Sequence, residues 1–447
     1  MTSSFTRPTF STLLAIVLWI APLSAVEAQS SSDTSGVPTS AGEPKPAPAE
    51  YESGQAGEPY QTEIFGKEVN IEARDRGDTM AVALGATLYA PKIGDTQFSP
   101  LGSFYYLGDW EDQRRVRAQI SGLVNDLEFA QRFRGFEAIA RLGNDDRRLF
   151  GEAETVSGEE LDDTELKWGY ETLWIGPGWA LDVSPFNVDN QLRIQLFYRG
   201  EYAHFNRTDD TSPDIAVPYD TWVHGPSLRV RLDALQRNLL EIPQSGYAFG
   251  LDAEFLRRDR WNQEPAAIEG HRDPLTELGD RDFMKLKGYV VGATRLPWLS
   301  DRHGITGQLR FGWAPQGTLD RYSGFRIGGG PLPREADDLL RITYPGALFD
   351  QFIADEYVLA TASYRYELTF FMYLRASITL FQGRIVSIEE SSGNAHFRSL
   401  TGEVPSMALV SGFFWDSTLE VEYDYDTRLV RGDRGGSQVL VMWSKAF

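Results

Sequence analysis

Four separated stretches of this chain alternate, residue by residue, between bulky apolar side chains and charged or small ones. Leu192, Ile194, Leu196 and Tyr198 alternate with Arg193, Gln195 and Arg199, and Leu228, Val230 and Leu232 with Arg229, Arg231 and Asp233. Tyr247, Phe249, Leu251, Ala253 and Phe255 alternate with Gly250, Asp252 and Glu254, and Leu419, Val421, Tyr423 and Tyr425 with Glu420, Glu422 and Asp424. A period of two belongs to β-strands, whose successive side chains point to opposite faces. Charge on one face and aliphatic or aromatic bulk on the other suits a wall between lipid and a wet lumen. A soluble sandwich shares the period, but about sixteen such segments exceed an ordinary sandwich, and its apolar face is the buried one.

The last segment runs to the final residue. Val439, Val441, Trp443, Lys445 and Phe447 alternate with Leu440, Met442, Ser444 and Ala446, and the chain stops on Phe447. An aromatic residue closing such a strand is expected where the last strand of a bacterial outer-membrane barrel pairs with the first, leaving no edge in lipid. Trp443 and Phe447 are therefore candidate seam and C-terminal signal residues. Residues 1–28 agree, because they read as a secretory signal peptide. Arg7 starts it, Leu13 to Leu23 form an apolar run of about 11 residues, and Val26-Glu27-Ala28 offers cleavage before Gln29. A membrane anchor needs about 20 apolar residues, and Pro22 and Glu27 interrupt the run too early.

Composition narrows the chemistry. With no cysteine, a lipoprotein anchor, disulfides, thiol catalysis and thiolate metal sites are all excluded. The net charge of −21 argues against nucleic acid as a partner. A mean hydropathy of −0.33 fits a barrel, since only the outward half of each strand is apolar.

Residues 29–77 read as a disordered, low-complexity periplasmic tail, rich in Ser, Pro, Ala, Gly and Glu as far as Glu63. Tyr60 to Phe65 could instead carry a short partner-binding motif. Residues 78–447 read as the barrel domain. The segments expected as strands are 79–90, 101–109, 113–124, 127–141, 165–174, 178–184, 191–204, 226–237, 246–258, 282–294, 303–313, 356–368, 370–382, 405–413, 416–426 and 437–447. Asn125-Asp126 has the composition of a two-residue hairpin. Long hydrophilic connections fall near 143–164, 205–225, 259–281, 314–355 and 383–404. The fold expected is thus an all-β, transmembrane antiparallel barrel of about sixteen strands.

From Gly225 to Gln382 the chain resembles the barrel of the BamA/TamA surface-antigen superfamily. The carriers are Ser227-Leu-Arg-Val-Arg-Leu-Asp233, then Ile242-Pro-Gln-Ser-Gly246 opening a strand, then Phe325-Arg-Ile-Gly-Gly-Gly330 after the eleventh strand. In that family an aromatic residue and a Gly-Gly pair introduce a long loop that folds into the lumen. The resemblance makes Gly328, Gly329 and Gly330 the start of such a loop and places its arginine at Arg334. Departures accompany it. Glu335 and Ala336 stand where the family has Gly and an aromatic residue, and Ser363 and Gln382 stand where it has the carboxylates that hold the arginine. Either the loop is locked differently, through Asp337 or Asp338, or Arg334 is a solvated loop arginine. Between Gln29 and Asp78 there is also no room for the family's POTRA modules.

No enzymatic constellation emerges. His204, His224, His271, His303 and His396 have no ligand spacing, no G-x-S-x-G elbow occurs, and the acidic loop runs lack a calcium-site pattern. No metal and no cofactor is expected. The resemblance implies insertion or transport of outer-membrane proteins or lipids through the seam between 79–90 and 437–447. Outer-membrane lipids and a separate periplasmic or outer-membrane assembly partner would be the counterparts. The alternative is a diffusion pore, receptor or scaffold on the same fold.

Overall fold

The computed structural model describes residues 54–64, 66–91, 96–110, 113–122, 124–146, 152–156, 159–182, 191–211, 217–261, 279–296, 298–320, 322–328, 339–347, 352–388, 395–413, 417–427 and 435–447. A hairpin of β1 (Tyr60–Ile64) and β2 (Lys67–Ile71) comes first. Then follow β3 (Thr79–Pro91), β4 (Gln97–Trp110), β5 (Arg114–Ile120), β6 (Val124–Phe133), β7 (Phe136–Asp146), the short β8 (Glu152–Val156) and β9 (Glu159–Asp182). Next are β10 (Gln191–Arg207), β11 (Thr221–Arg237), β12 (Pro243–Arg258), β13 (Asp282–Arg295), β14 (His303–Gln316) and the three-residue β15 (Phe325–Ile327). The chain finishes with β16 (Phe352–Thr369), β17 (Met372–Ile388), β18 (Ala395–Phe413), β19 (Ser417–Asp426) and β20 (Gly436–Ala446).

β3 to β20 close into one antiparallel barrel, with β20 paired back onto β3. β8 and β15 cover only parts of β9 and β16, while β7 pairs directly with β9 and β14 with β16. Sixteen strands therefore make the wall. That number agrees with the sequence reading through two opposite differences. The segment expected at 127–141 is two strands, because Arg134-Gly135 turns between the paired Phe133 and Phe136 and Gly135 takes φ 86°. Conversely, the segments expected at 165–174 and 178–184 fall in one strand, β9, which is described to Asp182. Pro177 still pairs with Ala138 of β7, although pairing with β10 skips Gly176 and Pro177. The hairpin expected at Asn125-Asp126 turns earlier, between Ile120 and its partner Asn125, and Asn125 staples it by donating to the Gly122 carbonyl and accepting from the Ser121 amide.

The faces follow the alternation. Leu196, Tyr198, Tyr247, Leu419, Val421 and Tyr423 are exposed on the outside, whereas Gln195, Asp252, Glu420 and Asp424 are buried on the lumen side. Leu84, Leu142, Ile175, Leu380 and Val441 extend the same apolar exterior around the wall. An outward apolar belt around an inward charged surface is the inverse of a soluble protein, and it matches a wall facing lipid.

The seam is continuous, from Gly436 opposite Pro91 to Ala446 opposite Ala81, and Phe447 and Met80 exchange backbone hydrogen bonds below it. Gly85 sits opposite Met442, and a Cβ there would lie 2.4 Å from the Val441 carbonyl oxygen. Only glycine lets the two backbones approach this closely. Gly85→Val is expected to part the seam and lower the temperature at which the barrel loses its compact migration on gels, whereas Ala86→Val on the lipid face should leave it unchanged.

The region 54–77 departs from expectation. Tyr60–Ile64 and Lys67–Ile71, expected as part of a disordered tail, pair as the β1–β2 hairpin, and Gly66 between them takes φ 77°. Residues 1–53, including the expected signal peptide, lie outside the described residues.

Candidate functional site

After β14 the chain turns onto the inner face, and one carboxylate fixes it there. Asp320 accepts from both arms of Arg258, at 2.6 and 3.0 Å, and from the amides of Gly279, Tyr322 and Ser323 at 2.7, 3.0 and 2.9 Å. The Ser323 hydroxyl adds a further bond at 2.8 Å. Arg258, at the end of β12, lies 3.8 Å over the Trp261 ring and 4.9 Å from that of Phe283. Burial alone would push the Asp320 carboxyl up, but the guanidinium and the amide donors hold it below the usual carboxylate range. Tyr322 then packs against Phe205 and Trp168, with ring centroids 4.8 and 5.7 Å away, and its carbonyl accepts from the Tyr170 hydroxyl. All three belong to the inward rows of β9 and β10.

Deeper, the two arms of the loop pair with each other: the Gly328 amide donates to the Ile342 carbonyl and the Tyr344 amide to the Gly328 carbonyl. Tyr344 is fully buried, its hydroxyl donating to Asp426 of β19 at 2.8 Å. Leu339 and Leu340 join a cluster with Leu235, Ala248, Tyr289, Val291 and Ala293, and the Leu339 carbonyl accepts from Arg310. Ala248 and Arg258 lie ten positions apart on β12, about 33 Å along the strand. The described parts of the loop therefore follow the inner wall through most of its length.

Gly329, Gly330 and Arg334, expected at the start and tip of the loop, lie outside the described residues, as do Asp337 and Asp338. The lock found at Asp320 has the reverse polarity of an Arg334 lock, with the acid on the loop and the cation on the wall, the polarity of the Asp337 or Asp338 alternative but at another residue. Of the two wall positions compared with family carboxylates, Gln382 is on the exposed outer face of β17, between inward-facing Phe381 and Gly383. Nothing local marked Asp320 in advance, because its partner is 62 residues away. Trp443, opposite Leu84, and Phe447, opposite Met80, both lie on the outer face at the seam.

The lumen carries unequal charge around its circumference. Arg117 of β5 and Arg141 of β7 share Asp126, while Arg199 of β10 is held by Glu201 and Glu254. Arg141 and Arg199 flank the Trp174 indole, 4.6 and 5.6 Å from its centroid. On β19 the inward row is Glu420, Glu422, Asp424 and Asp426, with Arg375 at 2.7 Å from Glu420 and 3.1 Å from Glu422. The wall next to the seam is acidic, and the wall from β5 to β13 is mainly basic.

The N-terminal segment closes onto the end that carries the short turns. Arg74 and Arg76 reach Glu241 at 2.6 and 2.9 Å, the Ala56 amide donates to the Arg237 carbonyl, and Tyr60 packs on Phe370 at 5.3 Å. Glu241 lies in the β11–β12 turn and is the one described non-glycine residue with positive φ, at 57°. Asn238 holds that turn by accepting from the Leu240 and Ile242 amides at 3.0 and 2.9 Å. Glu241→Gln keeps the shape and removes the charge. A charged hydrogen bond contributes about 1.5–3 kcal/mol, so trypsin should cleave at Arg74 and Arg76 roughly ten- to a hundredfold faster in this variant.

Comparison with known proteins finds no family model and no curated protein that matches the chain. Among solved structures, CdiB from Escherichia coli is similar at a TM-score of 0.47 and 12% identity, over 87% of this chain and 67% of that one. BamA from Haemophilus ducreyi lacking POTRA domains 1-3 gives a TM-score of 0.47 and 10% identity, over 87% and 75%. OmpT of Vibrio cholerae with loop L8 deleted, an outer membrane protein, gives 0.37 and 8%, over 83% and 100%. At such identities these are likenesses of chain path and carry no information on role.

Proposed function

We propose that the protein is an integral barrel of the bacterial outer membrane that inserts or transports outer-membrane proteins or lipids at its β3–β20 seam, together with a separate partner. The observation behind this reading is the loop after β14, which lies along the lumen and is tied to the wall by Arg258–Asp320 and Tyr344–Asp426. A barrel whose lumen is occupied by its own chain is poorly suited to free diffusion, which leaves the wall as the place of work. The apolar exterior gives the wall direct access to lipid. No step of this role requires bond chemistry, a metal or a cofactor.

The chain has no cysteine, so a single introduced pair tests the seam cleanly. Ala86→Cys with Val441→Cys occupies directly opposed positions on β3 and β20. Cells carrying only the oxidised pair should lose folded outer-membrane proteins, and reductant should restore them. An unchanged outer-membrane profile under verified crosslinking would rule out work at the seam. The pore alternative rests on the cavity of about 490 Å³ that remains in the lumen. Steady ion conductance of the wild-type barrel in planar bilayers would favour that alternative.

A further inference from the structure

The same cavity has a property that neither role accounts for. Its lining carries nine arginines and lysines against five carboxylates, in a chain whose net charge is −21. Much of this excess is matched: Asp126 and the Glu201–Glu254 pair hold Arg117, Arg141 and Arg199, and Asp320, outside the lining, holds Arg258. Arg326 and Arg341 stand on the loop side, and Arg229, Lys285 and Lys287 come together on β11 and β13. Around Asp252 stand Lys287 and Arg229 of the lining and, behind them, Arg231, at 3.9, 3.7 and 2.7 Å, and Arg229 also reaches Glu128 at 3.8 Å. Lys285 has no ion pair or hydrogen bond among the described residues, and its ammonium stands 5.0 Å from the Phe325 ring. Registry stacks these groups: Arg229 opposes Asp252, Asp252 opposes Lys287, and Glu254 opposes Lys285.

Like charges enclosed by a lipid-facing wall repel more strongly than in water, and Lys285, enclosed without an ion pair among the described residues, is favoured by a counter-charge. We propose that this cavity binds a phosphate-bearing anion, contacted mainly by Arg229, Lys285 and Lys287. Guanidinium forks and lysine point charges together are the usual means of holding phosphate, and the volume falls within the range of small-molecule sites. Tyr322, Phe325 and Arg326 form the loop side of the cavity, so a bound anion and the seated loop stabilise each other. The inference stands whether or not the seam is the place of work.

The test uses the full barrel in maltoside detergent, following the midpoint of its heat-induced unfolding. Inorganic phosphate, pyrophosphate and glycerol 3-phosphate are each added against sodium chloride of matched ionic strength. Phosphate-bearing probes should raise the midpoint beyond the chloride control. Lys285→Gln with Lys287→Gln should weaken the effect about tenfold or more, and the Lys→Arg pair should retain it. A response to glycerol 3-phosphate alone assigns a lipid headgroup, and a response to inorganic phosphate as well assigns a free anion. No shift beyond chloride, or an undiminished shift in the glutamine pair, overturns the proposal. The wild-type titration decides alone should that pair fail to fold.

Discussion

Asp320→Ala is expected to release the loop from the upper wall of the barrel while leaving the sixteen strands closed. The substitution strands Arg258 in a buried setting between Trp261 and Phe283, and removing one partner of a buried ion pair costs about 3–5 kcal/mol. It also removes the acceptor for three backbone amides. The variant should open in planar bilayers where the wild type stays closed, and trypsin should gain access within residues 317–347. Arg258→Ala should behave alike, and the double variant should be no worse than either, since the two groups act as one unit. The same pair sets a pH window. A carboxyl held below its ordinary value of about 4 contributes fully above that pH, and its contribution is lost as acid carries the pH down through the lowered value. Conductance should therefore be the same at pH 7 and pH 5 and rise only in strong acid. A closed lumen in Asp320→Ala would mean that Tyr344 and the Leu339–Leu340 cluster suffice to hold the loop.

Val421→Arg addresses the exterior. Val421 is midway along β19, points outward and is 39% exposed. On a soluble protein such a change stays within about 0.5 kcal/mol. On the lipid face of a barrel, arginine near the bilayer midplane costs about 2–4 kcal/mol. Refolding into lipid vesicles followed by urea titration should show the larger loss, and the same variant in detergent should lose much less. Equal stability in both media would contradict a membrane-facing exterior.

The barrel was legible because its two faces have opposite solvents, which writes the period of two into the sequence at segments such as 247–255 and 419–425. Turns were read less well. Arg134-Gly135 lies between two outward phenylalanines that look like one continuing strand, and Pro177 looks like a break although β7 pairs through it. The β1–β2 hairpin was hidden by its surroundings. Its alternation, Tyr60, Thr62, Ile64 and then Val69, Ile71, is short and adjoins a Pro- and Glu-rich stretch. The loop's position after the eleventh strand came from the Phe325 to Gly330 motif. Its anchor did not, because Asp320 acquires its meaning only when β12 brings Arg258 beside it. The Arg74 and Arg76 contacts with Glu241 were likewise invisible, since they join residues 165 or more positions apart.

The strands of the wall are far from equal in length, which bears on the membrane itself. β9 has 24 residues and β18 has 19, but β5 has only 7. Seven residues extend about 24 Å and, tilted near 40°, rise only about 18 Å, less than the apolar band of about 25 Å on an ordinary outer-membrane barrel. Lipid beside β5 is expected to thin locally to meet this short wall. β5 is separated from the seam only by β3 and β4, so thinning of the bilayer is expected on the flank beside the closing strands.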